Sequence, residues 1–343
     1  MNTKIKLLAV LLGVQILLAL GLGLSDWRST TPTQARLVQG VLRDTIDTIT
    51  LEGPDKEKIV LARKNGAWVL AQRGDFPADT HRVNAMLDRL LGLQTGTPVA
   101  TTREARARFK VAETSFEKRI SLASEGKPRV VVYLGTSPGL RQVHARVDDE
   151  DAIYAVHMAS YDVPLRPSQW EDKTVLQFPE KEIAGVRLGE VHVRKESKTM
   201  SGQSAAVNAT NASTVTVWHL EGDEDGQEVN ATSVDKLITW LASIRFDEVF
   251  DTSSGQEDAL EKPVVQFEIE GAHGQNRMYR LFHLPEQKTY VMTHSDRPEY
   301  FRLSTNTAEQ LMEACEQETW VVDPAKPSHK TVPAGASPRE KTT

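Results

Sequence analysis

One cysteine occurs in 343 residues, Cys315, so no disulfide can form within the chain and no C-x-x-C pair exists to hold a metal. There is no H-x-x-x-H on one helical face, no G-K-[ST] ending to a glycine loop and no G-x-S-x-G. Those gaps remove the recognisable zinc, P-loop and serine-hydrolase signatures. No basic stripe is present either. The net charge is −6 with acids and bases intermixed, which argues against nucleic acid as a partner. After residue 24 no second long apolar run appears. Stability must come from ordinary apolar packing, and 343 residues allow two domains of common size.

What is present begins at the N-terminus. Lys4 and Lys6 precede an apolar run, Leu7 to Leu24, whose only polar side chain is Gln15. As a helix of ~1.5 Å per residue it spans roughly 27 Å, close to the ~30 Å of a bilayer core. Trp27 stands where an interfacial aromatic would anchor the outer end. The lysines predict residues 1–6 in the cytoplasm, a transmembrane anchor over 7–24, a spacer over 25–45 and the remainder outside. A cleaved signal peptide is the rival. Ala19-Leu20-Gly21 and Gly21-Leu22-Gly23 are weak cleavage sites, and no cysteine follows to make a lipoprotein.

The rest reads as α+β, in two units with one order of parts, over residues 46–178 and 179–322. Each has a strand carrying a tryptophan, Lys64 to Ala71 and Thr214 to Glu221. An amphipathic helix follows each. Val83, Met86, Leu87, Leu90 and Leu93 stand opposite Val234, Leu237, Ile238, Leu241 and Ile244 without a gap. Asp79 or Thr80 is expected to cap the first helix, and Thr232 or Ser233 the second. Period-two runs then predict antiparallel hairpins: 118–123, 129–134, 142–147 and 152–156, against 264–269, 277–282, 289–293 and 300–303. Closing helical segments are expected at Pro167 to Leu176 and Thr307 to Glu318. Each unit is thus expected to be a meander sheet covered by its amphipathic helix, the pair arising by internal duplication. Lys198 to Ser213 reads as a flexible hairpin insertion, and 323–343, rich in proline, as a disordered tail.

From about Gly66 to Asp251 the chain resembles the bacterial domain-of-unknown-function 4340 family. The matching features are GAWVLA, DFPADTHRVNAMLDRLLGL, FKV, VVVYLGTSPG, HARVDDEDAIYAV and WEDKTVL, in that order. One departure is Lys110, where family members tend to carry glycine. The resemblance implies a membrane-anchored protein, with some members encoded beside ABC transporters of the gliding-motility type. It supplies no catalytic residues.

Individual residues offer little chemistry. His144, His157, His192 and His219 lie on or beside strands and read as ordinary polar positions. Asp148 to Asp151 is an acidic hairpin tip, and Asp223-Glu224-Asp225-Gly226 lacks the glycine spacing of a calcium loop. Gly135 to Gly139 reads as a turn. Asn208, Asn211 and Asn230 open N-x-[ST] triplets that matter only in a eukaryotic secretory path, and Asn230 reads better as a helix-start residue. Trp68, Trp170, Trp218 and Trp320 recur at matching points and read as core anchors, or as a binding platform if exposed in pairs. Cys315 reads as a small buried side chain. No catalytic, cofactor or metal residue is assigned, and no cofactor is expected. The function expected is that of a non-enzymatic accessory protein in the bacterial inner membrane, its bulk periplasmic, binding a transporter subunit. A glycan- or lipid-binding module and an uncharacterised hydrolase are the alternatives.

Overall fold

A computed structural model describes residues 35–199, 214–222, 228–250 and 260–322, together with Gln15. The apolar run 7–24 otherwise lies outside the described residues. So do the loop at Asp223–Gly226, the tail 323–343 and, apart from Lys198 and Thr199, the expected insertion at Lys198–Ser213. Among the described residues no helix is long and apolar enough to cross a membrane. The protein is mixed α+β, with two large antiparallel sheets and few helices. It divides after Asp172 into two compact units. That point lies slightly ahead of the Phe178–Pro179 junction read from the sequence. Leu176 and Phe178 are held by the second unit: Tyr279 Oη donates to the Leu176 carbonyl at 3.0 Å, and Arg277 lies over the Phe178 ring.

The first unit contains β1 (Thr48–Glu52), β2 (Lys58–Lys64), β3 (Ala67–Leu70), β4 (Phe76–Pro77), β5 (Lys118–Ser124), β6 (Lys127–Leu134), β7 (Val143–Val147) and β8 (Tyr154–Val156). Their order across the sheet is β8-β7-β6-β5-β1-β2-β3-β4. Alternation buries Ile49, Leu51, Ile59 and Leu61 on one face. Asn65 and Gly66 both take positive φ (51° and 84°) and close β2 on β3 in a two-residue turn. Helix α1 (Thr80–Leu91) starts at Asp79, whose side chain accepts from the Arg82 N–H at 3.0 Å. It buries Val83, Met86, Leu87, Leu90 and Leu91. Leu93 lies beyond its end, buried, with its carbonyl bonded to Leu37. Helix α2 (Arg103–Arg108) has no apolar stripe and buries only Ala105, so periodicity gave no sign of it.

The second unit contains β9 (Ile183–Leu188), β10 (Val191–Thr199), β11 (Thr214–Leu220), β12 (Glu228–Val229), α3 (Ala231–Ser243), β13 (Glu248–Phe250), β14 (Val265–Gly271), β15 (Arg277–Leu284), β16 (Thr289–His294), β17 (Tyr300–Leu303), α4 (Thr305–Ala314) and β18 (Val321–Val322). The large sheet runs β11-β10-β9-β14-β15-β16-β17-β13, and β12 pairs with β18. Helix α3 has Asn230 at its N-cap position, as a helix-start residue, and not Thr232 or Ser233. The Asn230 amide and the Ser233 hydroxyl both donate to the Thr319 carbonyl.

Several contacts recur unit for unit. The Trp68 indole N–H donates to Asn84 on α1, and that of Trp218 to Asp235 on α3. Arg63, opposite Trp68, and Lys195, opposite Trp218, place their cations over the rings. Trp170 and Trp320 are both fully buried and bond carbonyls six residues upstream, Pro164 and Ala314. Their own carbonyls accept from the helix-start residues Asp79 (2.7 Å) and Asn230 (2.8 Å).

The closing segments differ from expectation. Pro167 to Leu176 is no α-helix but a 3-10 turn, Pro167–Gln169, followed by an isolated bridge of Glu171 to Ala78 and a turn over 173–176. In the second unit α4 starts earlier than expected, at Thr305 after the Ser304 cap. It ends at Ala314, and a 3-10 turn at Gln317–Thr319 carries the chain to Trp320.

Candidate functional site

The singled-out residues mostly serve the fold. His144 Nδ1 lies 2.9 Å from Thr136 Oγ1 and 2.8 Å from the Thr136 carbonyl, and its ring packs on Phe109. The acidic tip Asp148–Asp151 is organised by Arg146. This buried guanidinium donates to the carbonyls of Val111, Val147, Asp148 and Glu150 and lies over the Tyr133 ring. A side-chain cation thus occupies the carbonyl cage that a metal ion would need. Asp151 pairs with Arg106.

His192 sits between two carboxylates, Glu221 on Nδ1 (2.5 Å) and Glu270 on Nε2 (2.8 Å). The two lie on opposite sides of the ring, so they do not converge on one point. Arg194 pairs with both, and His219 pairs with Glu196. Among the described residues no three His, Cys, Asp or Glu side chains converge as a metal site would require.

Gly135 opens a turn and is required there. A Cβ would stand 1.9 Å from the Phe109 carbonyl oxygen. Cys315 is buried at the end of α4, and burial pushes its thiol up to about 12, far from nucleophilic use. Trp68, Trp170, Trp218 and Trp320 are all buried, so none of them forms an exposed ring platform.

Besides a cleft of about 400 Å³ around Leu42, Ser124 and Arg129, two further regions among the described residues are open to ligands. One is a polar cleft of about 260 Å³ beside Arg280, Ser295, Arg297 and Tyr300. Arg297 there is committed to Glu299. The other, about 330 Å³, lies in the first unit and is lined by Arg89, Arg141, His157, Met158, Ala159, Tyr161 and Asp162. Its walls are two tight turns. Gly139 to Gln142 puts Leu140 and Arg141 at the tip, Leu140 91% exposed and Arg141 at φ 53°. The turn Ser160–Asp162 carries Tyr161, 67% exposed, and is pinned from three sides. Asp162 accepts from the Ala159 N–H and pairs with Arg89, and Lys118 Nζ donates to the carbonyls of Ser160 and Val163. Burial holds the Lys118 ammonium below its ordinary range. Sequence reading missed this pair of turns. The one available signal was Leu140, an apolar residue in a Pro-Gly-Leu-Arg turn where polar side chains are usual.

The model of the family described as Domain of unknown function (DUF4340) matches residues 68–263, over half of the chain. The chain belongs to the DUF4340 family. The match begins at Trp68 of β3 and ends before β14, so it crosses the division at Asp172. Lys110, the departure from the family's glycine, has φ 55°, the left-handed backbone that glycine adopts freely. Neither a curated protein nor a solved structure matches the chain at a significant level.

Proposed function

We propose that this DUF4340 member is a non-catalytic binding protein, tethered to the bacterial inner membrane by residues 7–24, with both units on the periplasmic side. The two units descend from one duplicated α+β unit, each a meander covered by its amphipathic helix. The recurring Trp-to-helix and Trp-to-cap contacts support that descent.

One observation carries the binding reading. His144, His192, His219 and Arg146 are held in structural contacts, whereas an apolar and cationic cleft stays open beside Tyr161. The partner, following the family resemblance, is an ABC transporter subunit. The buried tryptophans give no support to a glycan platform. Solubilising intact membranes and purifying the full chain should recover a transporter subunit in stoichiometric amount. Recovery of the chain alone, or a C-terminal reporter active only in the cytosol, would overturn the proposal.

A further inference from the structure

We propose that the cleft between the Leu140–Arg141 tip and the Tyr161 turn takes an acidic, apolar peptide segment of a protein partner. This rests on the binding reading above and names the chemistry of what is bound.

Three features of the cleft agree. First, its charge is opposite to that of the molecule. The chain carries −6 overall, yet the cleft presents Arg89, Arg141 and His157 against a single carboxylate, Asp162, which Arg89 already occupies. Arg141 has no carboxylate partner among the described residues. Both fixed cations are arginines, whose planar fork matches a carboxylate bidentately.

Second, the turn that brings Arg141 to the cleft is displayed at a cost. Leu140 occupies the tip of a tight turn with almost its whole surface in water. Arg141 holds a left-handed φ that glycine or asparagine would adopt with less strain, by about 1 kcal/mol. Third, Tyr161 is presented by a turn with three independent restraints, so little ordering entropy remains to be lost when a partner packs on it. Exposed tyrosine beside arginine is the composition of binding hot spots. The concave shape and modest volume, about 330 Å³, suit one or two side chains of an extended segment rather than a flat bilayer surface.

The test uses the full chain in detergent micelles and a fluorescent eight-residue peptide of alternating Asp and Leu. Anisotropy should report saturable binding that weakens at least tenfold when Asn replaces Asp. Arg141→Gly should weaken it by a similar factor. That variant suits the turn's backbone, so weaker binding cannot be ascribed to misfolding. Tyr161→Ser should do the same, with an unchanged unfolding midpoint. No binding, or equal binding by the variants, overturns the proposal. So does capture of phosphatidylglycerol vesicles through Arg141 without peptide binding. If a membrane partner co-purifies equally with the Arg141→Gly, Tyr161→Ser double variant, this surface is wrong while the binding reading stands. If no partner co-purifies with the unaltered chain, the binding reading itself falls.

Discussion

Lys110 and Gly135 face one another across a backbone contact and pose opposite problems. Lys110 carries a side chain where the backbone is left-handed, and its ammonium pairs with Glu117 at 2.5 Å, an exposed contact. Such an exposed pair contributes at most a few tenths of a kcal/mol, whereas left-handed φ costs a non-glycine residue about 1 kcal/mol. Lys110→Gly is therefore expected to raise stability by roughly 0.5 kcal/mol after glycine's own entropy is subtracted. Gly135→Ala should lower it by about 3 kcal/mol or more, because a methyl has no room beside the Phe109 carbonyl. Urea midpoints of the two variants should move in opposite directions; a lower midpoint for Lys110→Gly refutes the strain argument. Lys110 gave no sign of a left-handed backbone in the sequence; the torsion angle became visible only in the fold.

At the scale of elements, the tryptophan on β3 and that on β11 do the same job. Each fills the space between strand and helix and ties the two by an indole hydrogen bond, to Asn84 on α1 and to Asp235 on α3. Trp68→Phe and Trp218→Phe each remove one such bond, worth about 1 kcal/mol, and leave a small cavity. Each substitution should cost about 2 kcal/mol, and the double variant should show near-additive loss, as for sites without shared partners. Widely unequal costs in denaturant titrations would count against a common architecture. These elements were legible because their periods are strong: two along β5 and β14, and 3.6 along α1 and α3. The Pro167 segment was misread for a related reason. There Glu171 pairs with Ala78 in an isolated antiparallel bridge, and a local pattern does not register such a distant partner.

Acid sensitivity belongs to the whole molecule, because it differs between units. His294 on β16 is 3% exposed, with neither ring nitrogen hydrogen-bonded among the described residues. It lies between the rings of Tyr279 and Phe301. Burial, with Arg277 and Arg297 adding to it against Asp296 and Glu299, pushes the imidazole down to about 4. Above pH 6.5 it is neutral folded or unfolded. Between 6.5 and 4 only the unfolded chain takes up the proton, so the second unit loses stability as pH falls through that window, by up to roughly 3 kcal/mol. Denaturation of the full chain at pH 7 and 4.5 should show this loss, and His294→Phe should flatten it. An unchanged pH dependence in the variant would place the acid lability elsewhere.

The amino-acid order alone determined the apolar leader, the meandering strands and the two amphipathic helices. These follow from periodicity and hydrophobicity, which act between residues a few positions apart. The tertiary structure alone decided that Arg146 fills the acidic tip, that His294 is buried, and that Arg141 and Tyr161 meet around one cleft. Those outcomes depend on strand register and on which turns the sheet brings together, and pairing between distant segments leaves no local pattern to read.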